Sequence, residues 1–329
     1  MRKTPPLILL PLFAACATVD PLPSWRDTET KTALLDFVDR VSDPASPDFV
    51  PAPERIATFD NDGTLWSEKP VYFQLLFAID RVRALADEHP EWRTTQPFKA
   101  AIEGDLDGLA KAGKEGLLEL VMATHANMTT NEFAAIVADW TETARHPSTQ
   151  KPYSRMVYQP MLELLDHLRA RGFEVTITSG GGVDFLRVWA EDVYGIPPEN
   201  VVGSRIETKF EWRDEEPVLV RSPKLDFIDD GAGKPVGIYE RLGRRPILAV
   251  GNSDGDLEML QWITAGSGPR MGVLVHHTDA EREWAYDEDS HVGRLRFALD
   301  AAVERDWLVI DMASDWEVVF PGSETDGTL

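Results

Sequence analysis

Cysteine is nearly absent from this chain. Its 329 residues hold one, Cys16, so no intrachain disulfide can form and the fold must stand without covalent staples even in an oxidising compartment. Basic residues are scarce as well. Lys and Arg number 33 against 56 Asp and Glu, a formal net charge of −23. That balance argues against non-specific contact with nucleic acid or anionic lipid, both of which require a basic surface. No stretch approaches the roughly 18 continuous apolar residues of a transmembrane helix. Internal repeats and long low-complexity segments are missing too. What remains, 43% apolar and 9% aromatic residues, is ample material for one or two hydrophobic cores.

Residues 1–16 have the organisation of a targeting segment. Arg2 and Lys3 form a short basic region, Leu7 to Ala15 a short apolar one, and Ala14-Ala15-Cys16 closes it with small residues before the single cysteine. This resembles a bacterial lipoprotein signal, whose cysteine becomes the lipidated first residue of the mature protein. Phe13 departs from that pattern, because such signals usually carry Leu there, and Leu12 stands one place early. Plain cleavage near Ala15 is the competing reading. The expectation is an exported, periplasmic protein whose only membrane contact is a lipid on Cys16. Ala17 after the cysteine is compatible with outer-membrane sorting. Oligomeric state is left open.

The hydrophobic period organises the rest. After a Pro-, Asp- and Thr-rich tether, Thr30 to Val41 carries apolar residues at helical spacing. Ile56 to Phe59 reads as a short buried strand between Pro53 and an Asn/Asp/Gly turn. Residues 70–145 then show helical patterns (Val71 to Ala86, Leu106 to Thr124, Asn131 to Ala144) and no convincing strand, with Thr129 and Thr130 as cap candidates. From Met161 onward strands and helices alternate. Strands are expected over Phe173–Thr178, Val201–Val202, Pro246–Val250 and Met271–Val275, with helices over Met161–Arg171, Val183–Val193, Lys234–Leu242 and Asp254–Ile263. A hairpin is expected over 205–221, and one or two edge strands within Trp307–Phe320. This alternation implies βαβ units and a parallel sheet, an α/β fold.

Four features fall at or near strand ends, where ligands of open α/β sheets bind. Asp60-Asn61-Asp62-Gly63-Thr64 sets two carboxylates two residues apart directly after a strand. Thr178-Ser179-Gly180-Gly181-Gly182 offers a hydroxyl and backbone N–H groups before a helix, a setting that suits an anion. Lys234 lies in Gly231-Ala232-Gly233-Lys234-Pro235, which fails as a P-loop because Pro235 replaces the Ser/Thr and the first glycine is misplaced. A cation at a helix start opposes the helix dipole, which hints at another reason for this lysine. Gly251-Asn252-Ser253-Asp254-Gly255-Asp256 gathers hard-cation oxygens on a turn. An Asx turn, a flexible glycine turn and an acidic turn are the plain structural readings of these segments taken singly.

Taken in order, Asp-x-Asp-Gly-Thr, Ser-Gly-Gly, a lysine at a later helix start and Gly-Asn-x-x-x-Asp resemble the haloacid dehalogenase-like hydrolase superfamily over roughly residues 50–280. The helical insert resembles the small cap of its phosphoserine-phosphatase-like branch. The resemblance implies a Rossmann-like parallel core over 53–69 and 150–329, an all-helical cap over 70–149, and a tether with the N-terminal helix over 17–52. It implies Asp60 as a nucleophile forming an aspartyl-phosphate and Asp62 as acid and base to the leaving and attacking oxygens. Ser179, Gly180 and Gly181 would hold the non-transferring phosphate oxygens, and Lys234 would neutralise charge. Mg²⁺ is the implied cofactor, held by Asp60, Asp62 and Asn252 with Asp256 in support. The family usually has an aspartate where this chain has Asn252, so metal affinity should fall unless Asp254 or Asp256 compensates.

Dehalogenases of the superfamily lack an acid at the position of Asp62, so its presence favours phosphoester hydrolysis of a small phosphorylated substrate. A phosphotransferase would share these residues, and a binding lipoprotein with impaired catalysis is the competing class. Specificity candidates on the cap side are Trp66, Glu68, Tyr72, Gln74, Arg145, His146 and Tyr153, and an aromatic, acidic lid could favour a cationic alcohol. Most such aromatics are core packing. His276 and His277 point to opposite faces of a strand, so at most one approaches the site. Neither is assigned to metal, because no zinc set surrounds them.

Overall fold

The computed structural model describes residues 20–322; the leader, with Cys16, lies outside them. Seven strands form one sheet: β1 (Ile56–Phe59), β2 (Glu174–Gly182), β3 (Val201–Arg213), β4 (Glu216–Phe227), β5 (Leu248–Gly251), β6 (Met271–His276) and β7 (Leu308–Asp311), in the order β4-β3-β2-β1-β5-β6-β7. All neighbours are parallel except the β3–β4 hairpin. The α/β fold expected from alternation, and the Rossmann-like core that the resemblance implies, are therefore present. The chain builds outward from β1 through β2 and β3, then returns to lay β5 on the other side of β1. The carboxyl end of β1 is thus the switch point at which such sheets open a crevice.

Register brings the motifs level. Phe59 pairs with Ile177 on one side and Val250 on the other, so Asp60, Thr178-Ser179 and Gly251-Asn252 leave the sheet together. The Asp60 N–H donates to the Val250 carbonyl at 2.9 Å. Ile56, Ala57 and Phe59 are buried, as a central parallel strand covered on both faces requires. Thr58 is buried too, and its hydroxyl is satisfied by that of Thr178 at 2.7 Å.

Between β1 and β2 lie the helices Phe73–Leu85, Phe98–Glu103, Leu106–His125 and Thr130–Thr143. The first three share an apolar cluster that includes Ile79, Val82, Trp92, Phe98, Leu109 and Leu120, while Phe133, Val137 and Trp140 of the fourth pack into the main core. Thr129 caps its helix as expected, in a reciprocal box with Glu132. Among the described residues no helix is long and apolar enough to cross a membrane.

Four details differ from the expectations. The hairpin runs to Phe227, and its turn residues Asp214 and Glu215 both have positive φ (50° and 67°), a conformation that Asn-Gly would have advertised and this pair does not. The helix expected over Val183–Val193 is broken into Val183–Leu186 and Ala190–Tyr194, because Trp189 leaves helical geometry at φ −129° to stack on Trp66. β2 continues through the glycines to Gly182 instead of stopping at Thr178. The tail supplies an edge strand, β7, as expected, but an additional helix, Phe297–Arg305, precedes it.

Candidate functional site

The loop after β1 is wound around Asn61. Its carbonyl accepts from the N–H groups of Thr64, Leu65 and Trp66 at 3.2, 2.8 and 3.2 Å, while its side-chain oxygen accepts from the Tyr194 hydroxyl at 3.1 Å. Gly63 closes the turn at φ +77°, and a Cβ there would lie 2.0 Å from Asn252 Nδ2 and 2.5 Å from Glu68 Oε1. Both the backbone angle and the crowding demand glycine. Asp60 and Asp62 are thereby projected from a rigid loop into a cavity of about 340 Å³, which Glu68, Tyr72, Gln74, Gly180, Gly181 and Lys234 also line.

The structure brings the sequence-predicted residues together. Lys234 is buried at the head of its helix, its Nζ 2.6 Å from Asp60 Oδ1 and 2.5 Å from Asp256 Oδ1. These two carboxylates are the reason for a cation at a helix start. They outweigh burial and hold the ammonium pKa above its ordinary value. Asp62 has no cation in contact; its Oδ1 accepts from Trp66 Nε1 at 2.8 Å, and that indole is immobilised by stacking on Trp189 at 4.2 Å. Burial pushes the Asp62 carboxyl up, against the Trp66 hydrogen bond. Asp60 is pushed well up by burial and by Asp256, against the pull of Lys234.

Ser179 and its glycines are arranged differently from a helix-start anion nest. The β2–β3 register shifts between Ser179 and Gly182, so Gly180 and Gly181 bulge toward the cavity from an extended strand. The Gly181 N–H donates to Ser179 Oγ at 3.0 Å, and the Gly182 N–H to Gln74 Oε1 at 2.7 Å. An ideal Cβ on Gly181 would stand 3.8 Å from Asp62 Oδ2, which places this bulge against the carboxylate loop.

On the Asn252 turn Asp256 supports Asn252, as expected, but its charge is already engaged. Both Asp256 oxygens are engaged away from the cavity, Oδ1 by Lys234 and Oδ2 by the N–H groups of Asn252 and Ser253, each at 3.0 Å. Asp256 anchors the lysine and the turn. Asp254 is equally committed, accepting from the N–H groups of Arg296 and Ala298 at 2.9 and 3.0 Å at the start of the Phe297–Arg305 helix. Neither supplies the charge that Asn252 lacks. The carboxylate beside Asn252 is Glu68: Asn252 Nδ2 donates to Glu68 Oε1 at 2.8 Å, and Asn252 Oδ1 accepts from Thr64 Oγ1 at 3.2 Å. Burial, with Asp62 and Asp60 nearby, drives the Glu68 carboxyl well above its usual range.

Of the other specificity candidates, Tyr72 and Gln74 face the cavity. His146 and Tyr153 are buried packing beside Phe73, and Arg145 is exposed and bonds the carbonyls ending its own helix. His277 reaches the site loop, with Nε2 2.8 Å from the Gly63 carbonyl and Nδ1 3.2 Å from Glu283, while His276 lies toward Asp287. Sequence reasoning missed Tyr286, whose hydroxyl donates to Glu68 Oε1 at 2.7 Å, and Gly293, where a Cβ would fall 1.8 Å from that oxygen. Both sit in an irregular segment with no periodicity to flag them.

Asp60, Asp62 and Glu68 face one cavity whose one buried ammonium, Lys234, is shared with Asp256, while Asp230 and Lys114 line it from exposed positions. That excess of buried negative charge, visible in the three raised carboxyl pKa values, suits a divalent cation. Among the described residues no three His, Cys, Asp or Glu side chains converge into a metal cage. Mg²⁺ needs none, since it takes one or two carboxylates and fills its octahedron with water and phosphate oxygens.

Comparison with known proteins gives three results. The description "haloacid dehalogenase-like hydrolase" matches residues 57–261, more than half of the chain. No curated protein matches it. Among solved structures, a conserved protein of unknown function from Anaerococcus prevotii is similar at TM-score 0.49 and 18% identity, covering 76% of this chain and 86% of its own. A protein of unknown function from Bordetella pertussis gives 0.48 and 16%, with 79% and 99% covered. A probable phosphoserine phosphatase from Vibrio cholerae gives 0.37 and 17%, with 79% and 68% covered.

Proposed function

The chain belongs to the haloacid dehalogenase-like hydrolase family, and from that premise we propose that it is a Mg²⁺-dependent phosphomonoester hydrolase working through an aspartyl-phosphate on Asp60. The observation that carries the reading is the division of labour between two carboxylates. Asp60 is paired with a buried ammonium, whereas Asp62 touches no cation and accepts the Trp66 indole N–H. Environments that differ in this way separate a nucleophile from an acid.

Asp60 attacks phosphorus and the ester oxygen departs, taking its proton from Asp62, which is left as a carboxylate. That carboxylate then removes a proton from the water that cleaves the acyl-phosphate, returning Asp60 and releasing phosphate. Lys234 stabilises the negative charge on Asp60 and the transferring group. Ser179 and the bulged Gly180 and Gly181 hold the remaining phosphate oxygens once the Gly181 N–H leaves Ser179 Oγ. The Asp60 carboxylate, the Asp62 carbonyl and Asn252 would hold Mg²⁺, which would supply the charge that offsets repulsion between Asp60 and a phosphate dianion.

Release of alcohol from an aryl phosphate, dependent on Mg²⁺ and lost in Asp60→Asn, is the expected result. Release that ignores metal, or that survives Asp60→Asn, refutes it. A phosphate-ester-binding protein with weak catalysis is the second reading, favoured by the neutral Asn252; tight ester binding without turnover would select it. Phosphate partition into an added acceptor alcohol would mark a transferase. The leader supports placing the enzyme outside the cytoplasm on a lipid tether, and lipid labelling that persists in Cys16→Ser would remove the tether.

A further inference from the structure

The phosphate cavity does not end at the phosphate. A second cavity of about 340 Å³ adjoins it, and the two share Gln74, Lys114, Leu117, Val121, Gly180 and Ile228 as common walls. One side of the outer cavity is a single helix face, Lys114, Leu117, Leu118, Val121, Met122 and His125, at the spacing i, i+3, i+4, i+7, i+8 and i+11. Gly113 aims that face. With φ 64° and ψ −165° it breaks the helix in a conformation open to glycine and turns the Lys114–His125 half across the sheet end. The facing wall comes from the hairpin and the loop after it: Ile206, Leu225 and Ile228. Leu118 and Ile228 remain 38% and 54% exposed, large apolar surface with nothing packed on it.

The buried polar groups of the outer cavity are already satisfied. Gln74 bonds the Gly182 N–H and His125 Nε2, and Ser204 donates to the Gly180 carbonyl at 2.8 Å. Arg221 is tied to Asp184 and to the His125 carbonyl and lies over the Phe133 ring. Burial, with Arg221 beside it, keeps the His125 ring neutral, its pKa lowered to about 3. Arg205 pairs with Asp226 and Glu240. The remaining charges, Lys114 and Glu115, are exposed at the rim. An occupant of this space therefore meets aliphatic side chains and no free buried hydrogen-bonding group, and any group attached to a phosphate in the inner cavity has this space beside it.

We propose that the outer cavity holds the alcohol portion of the substrate, and that the protein selects phosphomonoesters of extended apolar alcohols over small polar ones. The inference rests on the phosphomonoesterase reading and is tested so that the two can fail separately. Octyl and ethyl phosphate have leaving groups of like reactivity and differ in apolar length. With the full chain and Mg²⁺, kcat/KM for octyl phosphate should exceed that for ethyl phosphate at least about tenfold, the worth of roughly two buried methylene groups. Leu118→Glu, at an exposed position that tolerates charge, should reduce the octyl-to-ethyl ratio about tenfold, mainly through KM, and Leu118→Gln should fall between. Equal or higher rates on ethyl phosphate, or a ratio unmoved by both variants, overturn the apolar pocket while leaving the phosphatase intact. If neither these esters nor an aryl phosphate is cleaved the phosphatase reading fails, and calorimetry still decides the pocket. Octyl phosphate should bind Asp60→Asn about tenfold more tightly than it binds Asp60→Asn with Leu118→Glu, and equal or undetectable binding overturns it.

Discussion

Asp229 carries a pH dependence that a single substitution should remove. Its side chain is fully buried, and neither carboxylate oxygen has a hydrogen-bond partner. It is pressed against the helix that presents Lys234, so closely that a Cβ on Gly237 would lie 2.3 Å from Asp229 Oδ1. Burial pushes the carboxyl from an ordinary 3.8 up to about 7, against the attraction of Lys234 and Arg205. A folded pKa above the unfolded one means that the native state binds more protons between these limits. The stability this group contributes is therefore fully present below about pH 4 and is lost as pH rises through 7. Between pH 5 and 7 the loss runs at about 1.4 kcal/mol per unit, and it levels off above. Asp229→Asn keeps the shape, cannot ionise and leaves an unpaired amide whose penalty does not change with pH. From pH 5 to pH 8 the native protein should lose roughly 2–3 kcal/mol more than Asp229→Asn does. Urea unfolding followed by Trp fluorescence at several pH values measures this. Asp60, Asp62 and Glu68 also have raised pKa values, but both proteins contain them and they cancel. Stability curves that run parallel within about 0.5 kcal/mol, the usual scatter of surface changes, would refute the unpaired buried carboxylate.

Lys234→Met should abolish turnover and destabilise the fold by about 3–5 kcal/mol near neutral pH, because Asp60 and Asp256 lose their shared cation; urea midpoints that do not move would contradict the ion-pair geometry. Glu68→Gln removes a charge from the cavity and should weaken Mg²⁺ binding about tenfold or more in calorimetry, and an unchanged affinity would take Glu68 out of the charge balance. Gly63→Ala forces a Cβ 2.0 Å from Asn252 Nδ2 at φ +77°. It should lower the melting temperature by several degrees, corresponding to about 1–3 kcal/mol, and a wild-type melting curve would show that the loop relaxes freely.

The elements legible in advance were those whose cause is local. β1 was readable over its full length because four consecutive buried residues end in an Asx-Gly turn. The Thr129 cap and the lysine at the head of its helix were likewise visible as pattern or as violation of pattern. The hairpin turn was not, because Asp214 and Glu215 take positive φ without the residues that favour it. Nor was the break at Trp189, which answers to an aromatic stack on Trp66, 123 positions distant in the chain, and not to any helix-stop residue. The site divides in the same way. Residues at strand ends, Asp60, Asp62, Ser179 and Asn252, were findable from sequence because strand register carries them to one place. Tyr286 and Gly293 come from an irregular segment, and Asp254 and Asp256 could be named but not aimed, since side-chain direction on a turn depends on donors from elsewhere.

At the Asn252 turn, residue type and side-chain direction lead to opposite conclusions about charge. Judged by residue type, the turn has lost a charge and keeps two acids that could restore it. Judged by geometry, each of those acids already has an occupation: Asp256 with Lys234 and two turn amides, Asp254 with the backbone amides at a helix start. The neutral amide is also what makes the neighbouring arrangement tolerable. Asn252 Nδ2 donates to Glu68 at 2.8 Å, and Tyr286 donates to the same oxygen at 2.7 Å, where a carboxylate at position 252 would instead repel it. Asn252, Tyr286 and Gly293 therefore work as one device: two donors and a space that seat a buried acid from the first site loop's far end. In the proposed reaction the cavity thus keeps its negative charge by moving it from position 252 to Glu68. The substitution that looks like a weakened metal site in sequence stands, in three dimensions, beside a buried carboxylate that lines the cavity.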